Sequence, residues 1–144
     1  MLSDYMNLAI EVAKKSNNDI PIGCVIEKNG EILAVAHNLK EENNDVTAHS
    51  EIVAIKEASK KIGNWRLDDC NLYVTLEPCP MCAWAILNSR IKNVYFGAYD
   101  LNYGAFGSKI NLSTLQNNKT KIYGGILEKE CEKLLDDYFK KIRS

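Results

Sequence analysis

Two short stretches constrain the fold of this chain more than any others: His49-Ser50-Glu51 and Pro78-Cys79-Pro80-Met81-Cys82. Each opens a segment of helical pattern. After the first, Ile52, Ile55 and Ala58 recur at helical spacing while Lys56, Glu57, Lys60 and Lys61 fall outside the stripe, and Gly63-Asn64 supplies a stop. The second is entered directly from Leu72-Tyr73-Val74-Thr75-Leu76, a β-branched and aromatic run that reads as a buried strand. Pro80 suits a first helical turn, where its missing N–H has no intrahelical use. The two helix starts carry one imidazole, two thiols and one further carboxylate, so a fold that uses them together must bring them side by side.

The remaining elements follow from periodicity. A first helix is expected over 3–16, capped by Ser3 or Asp4, with Met6, Ala9, Ile10 and Ala13 on its apolar face. Cys24-Val25-Ile26 and Ile32-Leu33-Ala34-Val35-Ala36 flank Asn29-Gly30, the strongest short hairpin signal. Helices over 48–62 and 80–89, a strand at Val94-Tyr95-Phe96, a weaker strand at Lys121-Ile122-Tyr123 and a last amphipathic helix over 128–142 complete the order. A hairpin followed by strand–helix alternation predicts an α/β fold, a mixed sheet covered by helices on both faces. With 144 residues and no repeat or linker-rich tract, residues 1–144 are expected to form a single domain.

Composition narrows the setting. No apolar run is long enough for a secretory signal or a bilayer span, and five cysteines are an odd number, so a reducing cytoplasm is expected. The net charge is −1, but residues 78–126 hold Arg90, Lys92, Lys109, Lys119 and Lys121 against one acid, Asp100. A basic side on a near-neutral chain suits phosphates; a chance run of surface lysines would look the same.

A Cys-x-x-Cys pair alone is ambiguous. It serves equally as a redox dithiol, as half of a structural zinc site, or as two buried small residues. Cys24, Cys70 and Cys131 are isolated in apolar contexts and read as core. His37 ends a strand, which leaves His49 as the remaining imidazole. In isolation His49 reads as a capping or packing residue, and Glu51 as a first-turn acid complementing the helix dipole. Taken with the cysteines, His49, Cys79 and Cys82 make a three-ligand set, the signature of a catalytic zinc with a fourth position left to water. Two thiolates cancel the charge of Zn²⁺, and the ion lowers the pKa of bound water enough to yield hydroxide near neutrality. Glu51, two residues from a ligand, is placed to shuttle protons without coordinating.

His-x-Glu followed by Pro-Cys-x-x-Cys is the signature of the zinc nucleobase deaminases. More narrowly, the chain resembles bacterial tRNA-specific adenosine deaminases of the TadA type. The likeness is carried by Asn44-Asp45-Val46-Thr47-Ala48-His49-Ser50-Glu51-Ile52, Gly63-Asn64-Trp65-Arg66-Leu67, the block from Leu72 to Cys82, and Phe96-Gly97-Ala98-Tyr99-Asp100. The resemblance implies a three-layer α/β/α cytidine deaminase-like fold with a central mixed five-stranded sheet, one zinc ion per chain, and a homodimer. It implies hydrolysis of adenosine to inosine at the wobble position of the tRNA anticodon, by attack of the zinc-bound hydroxide on a flipped-out purine. It further implies that Asn38 hydrogen-bonds the purine, that the Ser50 backbone contacts the base, that Ile22 lines the pocket and that Asp100 seats neighbouring nucleotides. Ser50 departs from a usual Ala, Val46 from a usual Pro and Tyr99 from a frequent basic residue, while Asn117-Asn118-Lys119 lies where relatives often carry Asn-His. Tyr99 reads either as a base-stacking ring or as an exposed loop aromatic.

Two other functions fit the same residues. One is deamination of a free nucleobase or nucleoside, guanine or cytosine, on the same scaffold. A closed pocket for so small a substrate would want a C-terminal segment folded over it, whereas Lys140-Lys141-Ile142-Arg143 is a basic tail suited to phosphates. The other is a catalytically silent, zinc-stabilised RNA-binding subunit, which would have no need of Glu51.

Overall fold

The computed structural model describes residues 1–115 and 119–143; Asn117 and Asn118 lie outside the described residues. Helix α1 spans Leu2–Ala13 and starts earlier than its sequence suggests. Met1 is its N-cap and no side chain caps it. Asp4 instead sits in the first turn, 3.5 Å from the terminal ammonium, where its charge complements the helix dipole. Strands β1 (Gly23–Lys28) and β2 (Glu31–His37) form the expected hairpin. Its two turn residues, Asn29 and Gly30, both have positive φ, 51° and 85°, the primed geometry that matches strand twist.

Helix α2 (Ser50–Ile62) ends at Gly63, left-handed at φ 79°. Then come β3 (Asn71–Leu76), α3 (Pro80–Asn88), β4 (Asn93–Ala98), a 3-10 turn at Leu112–Leu115, β5 (Lys121–Tyr123) and α4 (Glu128–Arg143). The sheet is five-stranded and mixed, in the order β2-β1-β3-β4-β5. β1 is antiparallel to β2 and β3, while β3–β4 and β4–β5 are parallel.

Alternation along the strands builds two cores. Cys24, Ile26, Leu72, Val74, Val94 and Phe96 pack with Ala54 and Ala58 of α2 and with Ala83 and Ile86 of α3. Val25, Tyr73 and Tyr95, on the opposite face, pack with Met6 and Ala9 of α1 and with Cys131 and Leu134 of α4. Each large apolar side chain buried here contributes roughly 1.5–3 kcal/mol. Cys24, Cys70 and Cys131 are fully buried core residues, as their contexts suggest. Gly23 allows α1 to lie against β1: a Cβ there would stand 1.9 Å from the Ala9 carbonyl oxygen.

One consequence of this topology positions the site. β2 and β3 both run antiparallel to β1, so their C-terminal ends lie at the same end of the sheet. The chain leaves β2 toward α2 and leaves β3 directly into α3. Both helices therefore begin at that end, beside one another.

Candidate metal centre

His49 is the N-cap of α2 and Cys79 the N-cap of α3. Both have extended backbones, and neither makes a side-chain capping bond. The imidazole and the thiol are thus released from capping and turn toward each other. Cys82, one turn into α3, completes the group. His49 Nδ1 lies 3.7 Å from Cys79 Sγ and 3.5 Å from Cys82 Sγ, and all three donor atoms fall within 4.8 Å of one another. Tetrahedral zinc with ordinary Zn–S and Zn–N bonds separates such donors by about 3.5 Å, which the two distances from His49 match.

The electrostatics suit a cation. The hydrogen bond from Cys82 pulls the Cys79 thiol down to about 4, and His49 adds to this. The same bond, together with burial, pushes Cys82 up. The bond to Cys79 raises His49. A divalent ion would take the place of these protons.

Glu51 is 4% exposed and lines the same cavity as His49 and Cys79. Burial raises its pKa; its own backbone N–H and the Ser50 hydroxyl, which donates to Glu51 Oε1 at 2.9 Å, partly oppose the rise. Asn38 lines the same cavity, buried, with Oδ1 accepting from the Ser50 N–H at 2.8 Å and Nδ2 donating to the Ile20 carbonyl at 3.3 Å. One of its two amide protons is used by Ile20. Ser50 is fully buried and does not reach the cavity wall; it touches the site through its N–H and its hydroxyl.

The cavity holds about 580 Å³, in the range of small-ligand pockets. Ile22, Asn38, His49, Glu51, Cys79 and Asp100 all line it. Asp100 belongs to a tight loop, where Oδ1 accepts from the N–H groups of Asn102 and Tyr103. Tyr99 points elsewhere: it is 48% exposed, meets Phe96 edge-on and packs near Gly124 and Gly125.

Two features escape sequence reasoning. Glu77 is 2% exposed, and its carboxylate accepts from the backbone N–H groups of Asp100, Phe106 and Ser108 and from the Ser108 hydroxyl. It pins loop 100–108 beside the metal group. The one hint was an acid wedged between a buried strand and Pro78-Cys79. The second is α4. Its last turns suggest a basic tail clear of the site, yet Tyr138, Phe139 and Ile142 line the cavity, while Lys140, Lys141 and Arg143 stay exposed. A helix wheel shows an apolar face but not what it meets.

Fold and site together define the class: a zinc-dependent hydrolytic deaminase. The chain belongs to the cytidine and deoxycytidylate deaminase family, whose zinc-binding region matches residues 1–98. It is 46% identical over 143 residues to the tRNA-specific adenosine deaminase of Bacillus subtilis (strain 168), covering 96% of this chain and 89% of that one. A solved chain from studies of A-to-I editing by tRNA:A34 deaminases at the wobble position superposes with a TM-score of 0.86 at 37% identity, over 92% of this chain and 99% of that one. Guanine deaminase from Bacillus subtilis is 33% identical with a TM-score of 0.64, over 78% of this chain and 90% of that one.

Proposed function

We propose that this chain hydrolyses adenosine to inosine at the wobble position of a transfer RNA anticodon. The observation that carries the reading is the cluster of His49, Cys79 and Cys82 with an uncoordinated, buried Glu51 beside it on the wall of one cavity. Zinc held by the three donors supplies a nucleophile of hydroxide strength near neutral pH. Everything else falls to the chain. Glu51 takes the proton that water gives up, passes a proton to the purine ring nitrogen, and helps protonate the departing amine, which leaves as ammonia. Burial raises the Glu51 pKa toward the operating range, as such a shuttle needs. Asn38 offers its second amide proton to the purine, and its tie to Ser50 fixes the angle of the offer. Ile22 supplies an apolar wall for the base, and Asp100 seats neighbouring nucleotides.

The adenosine and RNA parts of this reading are supported by the relatives of 46% and 37% identity and by their nearly full-length match. We read residues 1–144 as one deaminase domain working in the cytoplasm. Among the described residues no helix is long and apolar enough to cross a membrane. We also read the chain as a homodimer, since α3 presents Met81 and Trp84 outward, 37% and 45% exposed, next to the metal group. Sedimentation of a Trp84→Glu variant as a dimer would count against that face.

A second reading, a free-base deaminase, is favoured by the guanine deaminase likeness and by the reach of α4 to the cavity. A substrate panel separates the two. Inosine should form faster in an anticodon stem-loop carrying wobble adenosine than deaminated product forms from free adenosine, guanine or cytosine. Faster turnover of guanine would transfer the assignment to the second reading.

A further inference from the structure

At the end of the sheet away from the metal group lies a second concavity, of about 370 Å³. Arg66, Arg90, Lys92 and Lys119 line it against two carboxylates, Asp68 and Asp69. Arg66 is paired with Asp68, Nε to Oδ2 at 3.0 Å. Among the described residues, Arg90, Lys92 and Lys119 are in no ion pair. The backbone that carries them is fixed. Leu67 N–H donates to the Ser89 carbonyl at 2.7 Å, Lys92 N–H to that of Cys70 at 2.9 Å, and the Thr120 hydroxyl to that of Ile91 at 2.6 Å. Arg90 sits at φ 64°, a left-handed position just past α3 where glycine would be unstrained. Beside the cleft Trp65 is 60% exposed, with the Arg66 guanidinium 5.6 Å from its ring centroid. Cations carried on a fixed backbone next to an open aromatic face are what a sugar-phosphate backbone with an accessible base would meet.

We propose that this cleft docks the phosphate backbone of the RNA substrate at a point outside the reacting loop. The inference rests on the transfer RNA reading above. The six-residue β3 separates the cleft from Cys79, which places the two sites roughly 20 Å apart. A phosphate in the cleft therefore lies several nucleotides from the base in the catalytic cavity, in the stem of the anticodon arm or beyond it. Each cation neutralising a phosphate releases counterions and steepens the salt dependence of binding.

The test compares whole transfer RNA with a minimal anticodon stem-loop, by direct binding at several salt concentrations. The variants are Arg90→Glu/Lys92→Glu/Lys119→Glu and its charge-neutral counterpart with Gln at all three positions. Both should weaken binding of whole transfer RNA about 10-fold or more and flatten its log–log salt slope by about 2. Turnover at saturating RNA should stay unchanged, and the affinity loss should appear on the stem-loop as well if the docked phosphate lies in the anticodon stem, or on whole transfer RNA alone if it lies beyond it. Unaltered affinity for whole transfer RNA would overturn the proposal. So would wild-type binding of inorganic phosphate in the cleft with transfer RNA affinity insensitive to the variants, which would make it a small-anion site. Wild-type protein that binds transfer RNA through the cleft yet makes no inosine would instead sink the catalytic reading and leave this one standing.

Discussion

Ser50 places a hydroxyl 2.9 Å from the Glu51 carboxylate, a bond that an alanine at this position could not make. The bond draws the Glu51 pKa down while burial, the larger effect, drives it up. A carboxyl raised in the folded state favours its protonated form there. Its burial therefore costs no stability below its ordinary value of 4.5, and the destabilisation grows as pH rises from there through the folded-state pKa. Glu51→Gln removes the ionisation. In zinc-free protein, thermal melts should show the variant gaining stability over the wild type as pH rises above 4.5, with no gap below it. A gap independent of pH would mean that Glu51 is not held by burial. At this scale the sequence was informative wherever chemistry sets spacing. His49, Cys79 and Cys82 were legible because a metal demands convergent donors, and the structure brings those donors together. The hydrogen bonds of Ser50 and Asn38 were not, because they depend on where two loops meet in space.

Glu77 shows what organises a loop when the loop itself has no regular structure. Its carboxylate takes three backbone N–H groups from loop 100–108, and Gly104 leaves room for it, since a Cβ there would stand 2.4 Å from the Glu77 carboxyl carbon. Replacing it with alanine strands those donors in a buried setting, at ~1–3 kcal/mol for each group left unpaired. Glu77→Ala should lower stability by about 3 kcal/mol or more in urea denaturation and reduce turnover by loosening Asp100. An unchanged urea midpoint would mean that the loop is held by something else. Among the elements, the hairpin was readable from Asn29-Gly30 because only positive φ closes so tight a turn. The α2 stop at Gly63 was readable for the same reason. The start of α1 was not: Ser3 and Asp4 are good caps by type, yet the helix took them into its first turn. The approach of α4 to the cavity was hidden as well, since periodicity gives a face but no address.

For the molecule as a whole, the candidate metal group is a product of topology. Two strands pointing the same way deliver two helix starts to one end of the sheet, and the three donor side chains ride on the residues just before and just inside those starts. The mixed sheet with helices on both faces was legible from element order, because a hairpin followed by strand–helix alternation leaves few other arrangements. The central claim is that three side chains hold the metal while Glu51 moves protons without touching it. Zinc content and inosine formation in a wobble-adenosine stem-loop, measured on the same preparation of Glu51→Gln, test that claim most directly. The variant should hold one zinc per chain, equal to the wild type measured beside it, with turnover reduced ~10²–10⁴-fold. Loss of zinc along with turnover, or inosine formation at the wild-type rate, would contradict it.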